Sequence, residues 1–176
     1  MVSKNPIAMK KVLYLFLLLY SSASLGQEQN KRLTFILSID NEVTITGVTD
    51  GVFLLRDSTG AIKDKLPFDY HVGGLIMSPS DYKKLFSYDP KYRISIKFKY
   101  TEFRPRCGEH TYEEEIPKGW LNEEYMIFNV YNASNKGNRA KYFFKPGQEY
   151  LIQIKIPSYS TILITHGKYY AARTSR

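Results

Sequence analysis

The chain has 176 residues, with 25 Lys and Arg against 17 Asp and Glu for a formal net charge of +8. That excess is too small and too dispersed for the dense basic stripe that nucleic-acid binding requires. A single cysteine excludes an intrachain disulfide, and three histidines far apart in the sequence (His71, His110, His166) give no metal-ligand spacing.

Residues 1–26 have the order of a secretory signal. Lys10 and Lys11 precede the apolar run 12–20, and mostly small residues follow to Gly26. The run is nine residues long, far short of the roughly 20 that span a bilayer, so no membrane anchor is expected. Ser24 and Gly26 suit cleavage before Gln27. The trio Met9-Lys10-Lys11 has the form of a bacterial signal start, which makes Met9 the expected initiation point. Residues 27–176 then form one domain with 22 basic and 17 acidic residues, a net of +5, exported to the periplasm or the cell exterior.

Residues 33–39 alternate (Leu33, Phe35, Leu37 and Ile39 on one face), the period of a strand buried on one side. Asp40-Asn41 gives a tight turn into 42–48, Asp50-Gly51 predicts a hairpin into 52–56, and 57–60 turns the chain into 61–66. These acidic turns lack the ligand series of a calcium loop. Residues 67–77 are less regular, with Gly73-Gly74 interrupting any helix. A helix is predicted over 79–87: Ser78 caps, Pro79 takes the first position and Asp81 favours the first turn. Tyr82, Leu85 and Phe86 then face inward, and Lys83 and Lys84 face water.

Residues 92–100 alternate strictly, with Tyr92, Ile94, Ile96, Phe98 and Tyr100 against Arg93, Ser95, Lys97 and Lys99. Residues 101–122 read as a long irregular insertion carrying Cys107, His110, Glu113 to Glu115 and Trp120, with a strand possible over 110–116. A deeply buried strand is expected over 125–131, a turn over 133–138 and a strand over 139–145. The last places Tyr142 and Phe144 on one face and Lys141 and Lys145 on the other. The sequon Asn132-Ala133-Ser134 is set aside because the signal is bacterial in form. Residues 150–156 alternate again, 160–165 supply a last strand, and the basic tail 167–176 is expected to fray.

One-faced strands need a second layer, so the expected fold is an all-β antiparallel β-sandwich with one short helix. The stretch Phe144-Lys145-Pro146-Gly147-Gln148-Glu149-Tyr150, running on to Ile154, resembles the tyrosine corner of fibronectin type III and related immunoglobulin-like domains. The resemblance implies an immunoglobulin-like sandwich in the broad sense and carries no function. The chain departs from that family in lacking an early-strand tryptophan and in being longer by about fifty residues.

Three kinds of function suit these residues. An enzyme would draw on the 101–122 loop. Cys107 and His110 supply two metal ligands where about four are needed, or a nucleophile and base without an orienting third group. Glu113 to Glu115 could lend a carboxylate to glycoside hydrolysis. This small secreted hydrolase is the alternative reading. A lone exported thiol such as Cys107 is either buried and inert or able to pair between chains, and nothing beside it in sequence lowers its pKa.

The leading reading is an exported, non-catalytic binding or assembly module of the cell envelope, with no cofactor or metal. Arg93, Lys97 and Lys99 point one way from one strand, Lys155 from a second, and Lys141 with Lys145 from a third. As neighbours these strands would make a basic face for an anionic polymer or glycan, with some of the 13 tyrosines of residues 27–176 offering ring surfaces. The bland counterpart is that lysines line the solvent side of any sandwich and blunt its edges. Assembly with another protein would instead proceed by strand addition at a free edge.

Overall fold

The computed structural model describes residues 29–102, 108–143, 149–165 and 168–173. The signal-like segment, Cys107, Lys145, His166 and most of the 144–150 turn therefore lie outside the described residues.

β1 (Lys31–Ile39) reverses through Asp40 and Asn41 into the short β2 (Glu42–Val43). Both turn residues have positive φ, 52° and 74°, the pattern of a type I′ hairpin, which Asp and Asn tolerate better than most. β3 (Val48–Arg56) and β4 (Ile62–Pro67) form a hairpin. Its turn is closed by the Asp57 carboxylate, which accepts from the N–H groups of Thr59 at 2.9 Å and Ala61 at 3.0 Å. The chain changes sheets at Phe68 and continues as β5 (Asp69–His71) and β6 (Gly74–Met77).

Then come α1 (Pro79–Ser87), β7 (Arg93–Glu102), β8 (Gly108–Ile116), a 3-10 turn (Lys118–Asn122), β9 (Met126–Asn132), α2 (Lys136–Tyr142), β10 (Tyr150–Ile156), β11 (Tyr159–Thr165) and β12 (Lys168–Arg173). The larger sheet runs β12-β11-β10-β9-β1-β6-β5, with β2 alongside β1, and the smaller runs β4-β3-β7-β8.

The inward residues of the two sheets make one core. Phe35, Leu37, Phe128, Val130, Ile152 and Ile154 come from the larger sheet; Phe53, Leu55, Ile94, Ile96, Phe98 and Tyr112 come from the smaller. Alternation along β7 and β10 dictates this, since each strand has one apolar side to bury. The result is a β-rich, sandwich-like fold. Among the described residues no helix is long and apolar enough to cross a membrane.

Five expectations need correction. First, Asp50-Gly51 is not a hairpin turn but a bulge inside β3, where Thr49 opposes Lys99 and Val52 opposes Lys97. Asp50 has φ 51°, and a Cβ on Gly51 would stand 2.7 Å from the carbonyl oxygen of Phe68 and nearer still to its ring. The glycine lets Phe68 close over the strand as the chain changes sheets, and the Phe68 N–H donates to the Gly51 carbonyl at 2.9 Å.

Second, the strand expected over 139–145 is a helix as far as it is described, Lys136–Tyr142, and residues 144–145 lie outside the described residues. Asn135 caps the helix by accepting from Gly137 N–H at 3.0 Å and Asn138 N–H at 3.4 Å. Third, the irregular insertion expected at 101–122 contains a regular strand longer than the 110–116 allowed for: β8 pairs residue for residue with β7 from Ile94↔Ile116 to Glu102↔Gly108, and a 3-10 turn follows. Fourth, the tail beyond 167 forms β12 through 173 and pairs with β11. Fifth, the sheets are not wholly antiparallel: β1 and β9 run parallel, as a long intervening connection permits.

Candidate functional site

The expected basic face is divided. Arg93, Lys97 and Lys99 do share the outward side of β7. Lys155, however, lies on β10 in the other sheet, Lys141 is on α2 with its ammonium over the Tyr142 ring at 5.0 Å, and Lys145 is outside the described residues.

On the outward side of the smaller sheet, strand register sets the β7 cations among acids. Glu113 of β8 receives Arg56 of β3 at 2.6 Å and Lys97 at 3.3 Å. Arg93 reaches Glu115 at 3.6 Å, and Lys99 lies between Asp50 at 3.1 Å and Glu109 at 3.3 Å. Burial alone would raise the Glu113 carboxyl, but hydrogen bonds from Arg56 and Lys97 outweigh it and hold the group below its ordinary value. Arg56, Arg93, Lys97 and Lys99 thus face Asp50, Glu109, Glu113 and Glu115, a compensated ladder across β3, β7 and β8. Lys65 of β4, opposite Leu54 on the same side, stands outside these pairs. Leu54 and Ser95, opposite each other on the same side, are buried, as the stems of such long side chains allow.

Several tyrosines use their hydroxyls inside the structure. Tyr70 bridges a notch beside β1, donating to the Thr44 carbonyl at 2.8 Å and accepting from Leu37 N–H at 3.4 Å. Tyr150 crosses from β10 to the edge strand β8, donating to the Glu113 carbonyl at 3.1 Å and accepting from its N–H at 3.4 Å. Tyr131 donates to Gln153 at 3.0 Å, and burial followed by the neighbouring Tyr142 pushes its hydroxyl up to about 12.

The acid run on β8 is split by parity. Glu113 and Glu115 join the ladder, whereas Glu114 stands opposite core-facing Ile96 and accepts from Glu115 N–H at 3.2 Å. Burial, then its acidic neighbours, raise Glu114 to about 7.

One end of the sandwich holds a polar network. Asp40 accepts from Asn132 N–H at 2.7 Å and from the Asn138 side chain at 2.5 Å, and Tyr112 donates to Asn132 Oδ1 at 2.8 Å. His110 lies near Tyr112, their rings 6.2 Å apart, and 3.8 Å from Glu102. The network fastens α2 to the β1–β2 turn and to β9. Among the described residues no group of three or more His, Cys, Asp and Glu is placed to hold a metal ion.

The concave features differ in kind. A cavity near Trp120 holds about 20 Å³, room for roughly one water. A broad open groove of about 670 Å³ runs beside α1, lined by Lys31 at the start of β1 and by Pro79, Tyr82, Lys83 and Phe86. Local chemistry builds its floor. Ser78 caps α1 by accepting from Asp81 N–H at 3.1 Å, Leu85 anchors the helix in the core, and the half-buried Tyr82 and Phe86 rings lie 4.6 Å apart. Lys84 turns away to Asp64 at 3.7 Å. Lys31 and Lys83 are exposed and have no acidic partner among the described residues.

Sequence reasoning placed Tyr82, Lys83 and Phe86 on the correct sides of the helix but did not join them to Lys31. That meeting follows from the β1–β6 register, which sets Lys31 opposite Met77 just before the helix and which no local pattern encodes. Comparison with protein-family models, characterised proteins and solved structures gives no match.

Proposed function

We propose that the chain is an exported, non-catalytic binding module of the cell envelope, immunoglobulin-like in the broad sense, that takes an anionic or glycan ligand. Export rests on the signal-like order of residues 1–26, and the immunoglobulin-like class on the tyrosine-corner resemblance.

The observation that carries the reading is the unequal treatment of cations. Those on β7 are neutralised by acids on β3 and β8, whereas Lys31 and Lys83 flank an open aromatic groove without such partners. Uncompensated charge beside a concave, largely apolar surface is where an anion gains most. The β8 acids support binding over hydrolysis. Glu113 and Glu115 share one side but are both engaged by cations, and the protonatable Glu114 faces away from them, so the run offers no acid and free carboxylate to one bond.

The test is to incubate the purified protein with solubilised envelope polysaccharide and measure both retention and polymer length. Saturable, salt-sensitive retention with unchanged length is expected. Progressive shortening of the polymer would replace this reading with a hydrolase, and no retention at any ionic strength would end it.

A further inference from the structure

Resting on that reading, we infer that the groove beside α1 is the binding site and that its ligand is an acidic polysaccharide, a chain of carboxylated sugar rings. The geometry supplies two complementary elements. Tyr82 and Phe86 form a half-buried pair of rings on the floor, and an aromatic face carries negative charge density that suits the C–H groups of a sugar ring. Lys31 and Lys83 project beside them from different elements, so a carboxylate on a stacked sugar meets an ammonium without displacing an acid already bound to it.

The ladder on the smaller sheet offers no such gain. An incoming carboxylate there would have to compete with Glu113, Glu115, Asp50 and Glu109, which already hold the cations.

The rival occupant for an apolar surface edged by lysine is an anionic bilayer. Binding to a bilayer surface relies on large apolar side chains that enter the headgroup region. Among the described residues the exposed large hydrophobics are Val43, Ile45, Ile62, Val72 and Tyr125, and none of them lines the groove. Its apolar content is instead the flank of a helix, with rings held against the core, which suits a flat, rigid ligand. An open surface also leaves room for a polymer longer than the site, as an enclosed pocket would not.

The experiment measures binding of an oligogalacturonate of defined length by calorimetry, with an uncharged oligosaccharide of equal length and phosphatidylglycerol vesicles as comparators. The proteins are the parent, K31Q/K83Q and Tyr82→Leu. The double variant changes only exposed side chains, and Leu keeps the apolar packing of Tyr82 while removing its ring, so circular dichroism should show all three folded. The expected result is saturable binding of the acidic oligosaccharide by the parent, weakened at least fivefold in each variant and weakened by raising salt from 50 to 200 mM.

Equal affinity in parent and K31Q/K83Q would overturn the groove assignment while leaving a binding module intact. Failure of the parent to bind oligogalacturonate, or tighter binding to the vesicles, would overturn the ligand class. Retention of envelope polysaccharide, measured separately, decides whether the broader reading falls with it.

Discussion

The hydroxyl of Tyr150 serves both backbone groups of Glu113, donating to its carbonyl at 3.1 Å and accepting from its N–H at 3.4 Å. β8 is the edge of the smaller sheet, and an edge strand presents unpaired backbone to any passing chain. A side chain from the opposite sheet fills the place that a neighbouring strand would take, closing the edge and tying the two layers together.

Tyr150→Phe tests that closure. It keeps the ring against Tyr112 and removes only the hydroxyl, leaving both Glu113 groups to water. A loss of about 1 kcal/mol is expected by chemical denaturation, with faster hydrogen exchange at the Glu113 amide and a greater tendency to associate. Unchanged exchange at that amide would contradict the closure.

Glu114→Gln should reveal a pH-dependent cost. Burial raises this carboxyl from 4.5 to about 7 in the folded protein. Well below pH 4.5 both folded and unfolded chains hold the proton and the residue contributes no penalty. Between 4.5 and 7 the unfolded chain ionises first, so stability falls as pH rises, and above 7 the loss is constant. Discounted for partial exposure, the penalty is about 2 kcal/mol. The variant should therefore exceed the parent in stability at pH 8 and match it near pH 4. An equal difference at both pH values would sink the argument.

Gly51→Ala should be among the more damaging single changes. The added methyl meets the Phe68 backbone and ring where the chain passes between sheets. Relief needs movement of the core at Phe53, whose ring centroid lies 5.1 Å from that of Phe68. A loss of about 2–3 kcal/mol is expected by thermal or denaturant unfolding.

Asn138→Ala should detach α2 without dissolving the sandwich. It removes one of the donors to Asp40 and empties a buried polar position, with an expected loss of about 1–2 kcal/mol. Hydrogen exchange should rise in Lys136–Tyr142 and hardly at all in β7. Equal acceleration in both would show that the network supports the whole fold.

The legible parts of the fold were those with a strong local signature. β7 and β10 announced themselves by strict alternation, and α1 by Ser78, Pro79 and the Tyr82, Leu85, Phe86 stripe. Where two local patterns competed, context decided. Arg139 to Phe143 alternates well enough for a strand, but Asn135 starts a helix and buried Asn138 holds it to Asp40, a partner nearly a hundred residues away. Asp50-Gly51 carries the chemistry of a turn, and the sheet uses the same left-handed backbone as a bulge.

The functional surface was less legible for a related reason. Parity correctly put Arg93, Lys97 and Lys99 on one side, yet parity cannot say that Glu113 and Glu115 arrive beside them. That follows from the β7–β8 register. Lys31 and Lys83 stand 52 positions apart and line one groove only because β1 pairs with β6, which leads into α1.

The β7 cations serve the structure and not a ligand, and R93Q/K97Q/K99Q tests this directly. Without these cations the carboxylates of Asp50, Glu109, Glu113 and Glu115 keep only Arg56 among the ladder's positive partners. Exposed pairs contribute little singly, so the expected loss is about 1 kcal/mol, smaller at high salt, with oligogalacturonate affinity within twofold of the parent. A triple variant as stable as the parent that no longer binds would show that these three residues form the ligand surface, and would contradict the account.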